Sequence, residues 1–380
     1  MNIILLITSL GTGGAEFSTL TFYGWVKNNT NFNIKIMCLK KADPSYDLNQ
    51  FGFEEVHYLD KESFWSKVKE FNEVIDSFNP QIVHSVLFDA NLIGRFSRIQ
   101  KRSFKHMESL VNQTYSIHRL NDPNINRLKL EGYRFIDFIT QIYGVDHYHS
   151  NGKTVADHYQ KKLLITPSRI TNIPRGRDFN PFLNRQDLIS GFRNNLNLDN
   201  KVVLINVARH EYQKAQTVLL EALNQIKHLD KKYILLLVGR NGESTQLIKN
   251  NISEYGLHDN VKILGHRSDV PKLLAASDIF VFPSRFEGLP GALIEAEAAS
   301  LPIICTNIKN NCEVVEEYKN ALLFPVDDAK ILSRQLENLI LDADKRKLMG
   351  SESYRIFQKK FTINSVHEKM LKLLERLRNN

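Results

Sequence analysis

Short apolar runs and longer stretches of helical period alternate along the whole chain. Residues 3–8, 34–39, 82–85 and 138–141 predict strands in the first half. Residues 202–207, 233–238, 261–264, 279–281 and 302–305 predict strands in the second. Several of these runs are rich in Val, Ile and Leu and do not alternate with polar residues. That is the pattern of parallel strands covered on both faces. Strands that alternate with helices predict an α/β protein with parallel sheets.

The series restarts near residue 200. The stretch 172–199 carries Ile-Pro-Arg-Gly-Arg-Asp, then Pro181 and several Asn, and reads as a linker. Two Rossmann-like, doubly wound domains follow, 1–182 and 183–362, facing a central cleft. Ligands of such sheets bind beyond the carboxyl ends of the strands. Residues 363–380 place Val366, Met370, Leu371, Leu373, Leu374 and Leu377 at helical spacing, so a last helix closes the chain and packs back on the first domain. No solenoid repeat or low-complexity tract interrupts this order.

The chain is 380 residues long, with 42% hydrophobic and 24% charged residues, ordinary for a soluble globular protein. No apolar run reaches the ~18–20 residues of a spanning helix. The first ten residues lack a basic leader and run into Gly-Thr-Gly-Gly, so they read as a buried strand and not a signal peptide. Cys38, Cys305 and Cys312 form no Cys-x-x-Cys pair, which fits a reducing cytoplasm. A net charge of +8 favours an acidic partner: a nucleoside diphosphate, an anionic membrane surface or nucleic acid. Lys101-Arg102 and Lys161-Lys162 read as solvated faces. No zinc-finger, RNA-binding or basic-zipper pattern supports nucleic acid.

Chemistry concentrates at strand ends. Ser284 to Glu295 reads Ser-Arg-Phe-Glu-Gly-Leu-Pro-Gly-Ala-Leu-Ile-Glu. Glu287 falls on a loop and Glu295 one turn into a helix whose first amides attract anions. Carboxylates for sugar hydroxyls beside amides for phosphate describe a nucleotide-sugar site. Asn206 to Lys214 reads Asn-Val-Ala-Arg-His-Glu-Tyr-Gln-Lys, with Arg209 at a strand end and Lys214 at the next helix. Two fixed cations there stabilise a departing diphosphate without a metal. Gly239 and Gly265-His266 each follow a further strand and place small residues and backbone at the same edge. After the first strand, Leu10-Gly11-Thr12-Gly13-Gly14-Ala15-Glu16 lets a phosphate or sugar approach the backbone. It is no dinucleotide fingerprint, because Glu16 stands where the third glycine belongs and Leu39-Lys40-Lys41 offers no acid.

In this order, the Ala-Arg-x4-Lys segment, Val281-Phe282-Pro283-Ser284, Glu287 with Glu295, and Leu322-Leu323-Phe324-Pro325 resemble the donor half of GT4-type retaining glycosyltransferases. Gly13-Gly14-Ala15-Glu16 and Ile173-Pro174-Arg175-Gly176-Arg177-Asp178 extend the likeness into the first half. The resemblance implies the GT-B fold and transfer with retention of anomeric configuration. It implies that Arg209 and Lys214 hold the donor phosphates, Glu295 the ribose hydroxyls, and that Glu287 faces the donor sugar. Gly13 and Gly14 would lie against the phosphate-sugar end, and the backbone around His266 against the base. Gly239, Ser284, Gly288 and Leu289 complete the expected donor-binding set. The resemblance implies a nucleotide-sugar donor, UDP- or GDP-linked, with no cofactor and no metal. It implies a glycan or lipid-linked glycan acceptor, as in bacterial surface polysaccharide synthesis, and a place at the cytoplasmic side with peripheral membrane contact.

One departure stands out. The family often places a His near the donor sugar, and that slot falls at Ser109–Asn112 here. His84 and His106 lie nearby and read as hydrogen-bonded strand residues, and His147, His149 and His158 as non-metal residues. Two rival readings share the fold: a nucleotide-sugar 2-epimerase, and a non-catalytic nucleotide-sugar or glycan-binding protein.

Overall fold

The computed structural model describes residues 1–10, 13–41, 47–101 and 103–379. Gly11 and Thr12 of the glycine loop, and Arg102 of the basic pair, lie outside them. The chain divides into two units, 1–176 with 363–380, and 177–362.

The first unit holds seven parallel strands: β1 (Asn2–Ile7), β2 (Asn33–Cys38), β3 (His57–Tyr58), β4 (Ile82–Val86), β5 (Lys105–Leu110), β6 (His147–Ser150) and β7 (Ile170–Asn172). Their order in the sheet is β3-β2-β1-β4-β5-β6-β7. The second unit holds six: β8 (Val202–Val207), β9 (Tyr233–Val238), β10 (Val261–Gly265), β11 (Ile279–Phe282), β12 (Ile303–Thr306) and β13 (Ala321–Phe324), ordered β10-β9-β8-β11-β12-β13. The expected parallel α/β architecture is therefore present in both halves. Apolar cores lie on both faces of each sheet, which is why the strands read as unbroken Val, Ile and Leu runs.

In each sheet the order reverses direction at one place, between β1 and β4 and between β8 and β11. Connections leave such a point in opposite directions and open a crevice at the strand ends, the usual ligand position in doubly wound sheets.

Three features of the sequence reading change. Residues 138–141 are no strand; they lie inside the helix Arg127–Gly144. A run this short is ambiguous by periodicity alone, and here the surrounding eighteen residues continue as one helix. Part of the expected linker is the helix Gln186–Asn195, which buries Ile189 and sets Phe192 against the second core. The units part at Gly176/Arg177, a few residues before the expected 182/183. Arg177 N–H donates to Phe361 O at 2.9 Å and Phe179 packs edge-on against Phe357, so this segment is held by the second unit. The helix Ile363–Asn379 buries Val366, Met370, Leu373, Leu374 and Leu377 in the first unit's core, beside Ile3 and Leu5. No described helix is long and apolar enough to cross a membrane.

Candidate active site

Adjacency of β8 and β11 brings together two segments far apart in sequence. The loop after β8 carries Arg209 and ends in a short turn at Tyr212–Lys214, and the loop after β11 carries Ser284 to Gly288. Three ties lace these loops. Arg285 N–H donates to Gln213 O at 2.8 Å. Gln213 Nε2 donates to Phe286 O at 2.7 Å. Lys214 Nζ then reaches Glu287 Oε1 at 2.6 Å. Both side chains of this last pair are largely buried, at 14% and 9% exposure. Lys214 also sits over the Phe282 ring, 5.5 Å from its centroid. A short, shielded ion pair of this kind holds both groups in one geometry.

Arg209 differs. Its side chain is 59% exposed and its guanidinium pairs with Glu211 at 2.8 Å. Lys214 is thus the fixed cation and Arg209 the accessible one.

Glu295 lies in the helix Gly291–Ala298, and its Oε1 accepts from Arg177 Nε at 2.7 Å. The Arg177 guanidinium rests against Gly291, where a Cβ would collide with Nη2. Glycine at the first helical position therefore makes room for the arginine. The second glycine with a steric reason is Gly239: a Cβ there would strike the Ala208 carbonyl. Gly239 N–H donates to Gly265 O at 2.8 Å, tying the ends of β9 and β10 beside β8. His266 follows, exposed to solvent.

The Ser284–Leu289 loop is held from behind. Thr306 Oγ1 donates to Ser284 O at 2.6 Å and Asn310 Nδ2 to Gly288 O at 2.7 Å. Ser284 Oγ is buried with no hydrogen-bond partner among the described residues. Leu289 packs into the core, so only its backbone can meet a ligand.

In the first unit Gly13 caps the helix Gly14–Asn29, and the Glu16 carboxylate folds back over Gly13. A Cβ on Gly14 would lie 2.9 Å from Arg175 Nη1, which sets that guanidinium over the glycines. His84 accepts or donates at both ring nitrogens, to Tyr23 OH at 2.9 Å and Ser109 Oγ at 2.8 Å. Ser109 Oγ continues to His149 Nδ1 at 2.9 Å, and His149 Nε2 to Ile173 O at 2.9 Å. Burial holds the His84 imidazole well below its ordinary pKa, and brings His149 down to about 4. His106 is bonded to Ser85 Oγ and the Gly144 carbonyl. These rings are neutral structural links across β4, β5 and β6.

The sequence reading missed Gln213, Thr306 and Asn310, which fix the loops, and the partner of Glu295. Arg177 stood within the quoted 173–178 motif, but 118 positions separate it from Glu295 and nothing in the spacing joins them.

Comparison with known proteins bears on what these loops do. Residues 190–356 match the family model described as glycosyl transferases group 1. That segment contains β8 to β13 and every candidate residue of the second unit except Arg177. The chain is 33% identical over 206 residues to the Escherichia coli UDP-Gal:alpha-D-GlcNAc-diphosphoundecaprenol alpha-1,3-galactosyltransferase, covering 48% of this chain and 52% of that enzyme, so the match spans about half of its length. It is 25% identical to the Staphylococcus aureus capsular polysaccharide biosynthesis glycosyltransferase CapH, over 84% of this chain and 85% of CapH. The crystal structure of Anabaena HepE in complex with UDP-glucose superposes with a TM-score of 0.87 at 19% identity, over 99% of this chain and 100% of HepE. At that identity the likeness establishes the fold, GT-B. The family model covers less than half of this chain, so the matches mark a likeness to group 1 glycosyltransferases, among them one named for capsular polysaccharide biosynthesis.

Proposed function

We propose that this protein is a retaining, metal-independent glycosyltransferase. It moves a sugar from a nucleoside diphosphate to a glycan or lipid-linked glycan acceptor of a bacterial surface polysaccharide. The observation that carries this reading is the shielded Lys214–Glu287 pair at the reversal point of the second sheet. Breaking a glycosidic bond to diphosphate leaves negative charge on phosphate and positive charge on the sugar ring. An ammonium and a carboxylate locked side by side match both ends of that separation before it begins. Arg209 adds a second, accessible cation for the phosphates, and Glu295 faces the ribose. The E. coli relative is named for UDP-Gal and HepE was crystallised with UDP-glucose, so UDP-sugars are the first donors to test.

The deciding experiment incubates the protein with a panel of UDP- and GDP-sugars and follows the released sugar by NMR. Release of the sugar with retained anomeric configuration supports the reading. An inverted anomer refutes retention, a 2-epimerised nucleotide sugar supports the epimerase, and binding without turnover supports a carrier.

Turnover is expected to be unchanged in EDTA, because fixed cations take the leaving group's charge. Loss of activity that magnesium or manganese restores would overturn this. The two acids should separate kinetically. Glu295→Gln removes a contact made equally by bound donor and transition state, so donor KM should rise about tenfold with kcat little changed. Glu287→Gln removes charge beside a ring that becomes positive, so kcat should fall roughly a hundredfold. Steady-state kinetics of both variants decide the assignment, and the opposite split would reverse it.

A further inference from the structure

Each acid of the site carries a cation of its own. Lys214 holds Glu287 at 2.6 Å, and Arg177 holds Glu295 at 2.7 Å. The first pair joins two neighbouring loops. The second reaches much further, because Arg177 comes from the segment before the helix Gln186–Asn195, 118 positions from its partner. That segment is pinned. Arg177 N–H donates to Phe361 O at 2.9 Å, the residue bridges to Thr362, and Phe179 packs on Phe357. The Arg177 side chain is only 9% exposed, while Glu295 keeps 34% of its side-chain surface open. The carboxylate is thus gripped on its buried side and presented on its open one.

The helix it meets sets the course of the guanidinium. Positions 291 and 295 lie four apart and share one face of the helix Gly291–Ala298. A Cβ on Gly291 would collide with Arg177 Nη2, so only glycine leaves the guanidinium its place over the first turn. From there Nε reaches Glu295 Oε1. A cation beside a helix start opposes the helix dipole, so the helix alone gives no reason for it. The acid one turn further on does. An exposed glutamate on a helix otherwise samples many rotamers and loses that freedom when a ligand binds. Here the ordering is complete beforehand, and a preorganised group binds its ligand more tightly.

We propose that Arg177 is a positioning residue that makes Glu295 a selective reader of the donor ribose. It fixes the carboxylate through Oε1 and leaves the open side to accept from the vicinal 2′- and 3′-hydroxyls of the nucleotide. Arg177 acts through Glu295, and Gly291 supplies the space that lets it do so. The inference rests on the nucleotide-sugar reading of this site and adds to it the residue that sets ribose selectivity. A polar group held ready for a substrate hydroxyl rejects the analogue that lacks it, because its own desolvation then goes uncompensated.

Calorimetric titration with UDP and GDP, each beside its 2′,3′-dideoxy analogue, tests it. The wild type is expected to bind the ribonucleotide about tenfold or more tightly than the dideoxy form. Arg177→Met should weaken the ribonucleotide roughly tenfold, with a smaller effect on the dideoxy form, so the ratio falls towards one. Arg177→Lys keeps the cation and should retain part of the ratio. Gly291→Ala, whose methyl group displaces the guanidinium, should lower the ratio without removing the arginine. It also keeps the question answerable if Arg177→Met does not fold, which circular dichroism melting reveals. Folded variants that keep the wild-type ratio, or that weaken both forms equally, would overturn the role of Arg177. A wild type that binds UDP or GDP and its dideoxy form alike would take Glu295 off the ribose and the proposal with it. Binding of neither nucleotide would instead overturn the nucleotide-sugar reading itself.

Discussion

Lys214→Ala is expected to lower kcat/KM for the nucleotide-sugar donor by at least a hundredfold. Two losses combine. A charge-assisted contact to phosphate is worth roughly 1.5–3 kcal/mol, which weakens UDP or GDP binding by about one to two decades. The stabilisation of developing charge on the departing diphosphate is lost as well, an effect of about 2.7–4 kcal/mol when a single fixed donor is removed. The geometry adds a third consequence. Glu287, paired to Lys214 at 2.6 Å and shielded from water, is left as an uncompensated carboxylate beside the diphosphate. The double variant Lys214→Ala with Glu287→Gln should therefore bind nucleoside diphosphate more tightly than Lys214→Ala alone. Calorimetric titration with UDP and GDP, with donor kinetics on the same folded preparations, measures all of this. A folded Lys214→Ala protein with wild-type affinity and turnover would take the lysine out of the site.

The largest stability effect is expected at Arg95, which touches no candidate residue. Its guanidinium holds Glu108 through both oxygens, Nε to Oε1 at 2.6 Å and Nη2 to Oε2 at 2.7 Å. Nη1 reaches Asp137 Oδ1 at 2.7 Å and Thr140 Oγ1 at 3.0 Å. Tyr115 OH donates to the other oxygen of Asp137. Burial raises the Asp137 carboxyl above its ordinary range, and Arg95 works against that rise. Arg95→Met leaves two buried carboxylates without their cation, which costs about 3–5 kcal/mol. The urea midpoint of the first unit should fall accordingly. Arg95→Met combined with Glu108→Leu and Asp137→Leu should recover much of it, because a packed apolar replacement removes the stranded charges. A midpoint unchanged by Arg95→Met would show that the network contributes nothing measurable.

That network explains much of what the sequence did and did not disclose. Strands covered by apolar layers announce themselves, and β1, β8, β9 and β11 lie where their Val, Ile and Leu runs place them. Strands β5 and β6 do not, because Glu108, Ser109, His106 and His147 are buried by bonding to one another and to their neighbours. A polar residue satisfied inside looks identical in sequence to one satisfied by water. The reverse error occurs at 138–141, in a helix that exposes Ile136, Ile139 and Ile142 while burying Asp137 and Gln141. Likewise Arg209, Lys214, Glu287 and Glu295 were legible as residue types at strand ends. Their pairing was not, since strand order brings 214 beside 287 and tertiary packing brings 177 beside 295.

The route of the chain also sets the order in which it can fold. The second unit is one continuous stretch, 177–362, while the first needs residues from both sides of it. As the chain leaves the ribosome, the strands of the first unit are made early but lack the Ile363–Asn379 helix that covers Ile3, Leu5 and Phe22. The later-made unit can therefore complete its core before the earlier one does, against the usual N-terminal-first order. Until synthesis passes residue 379, the nascent first unit exposes an apolar face, and chaperone capture or aggregation would begin there.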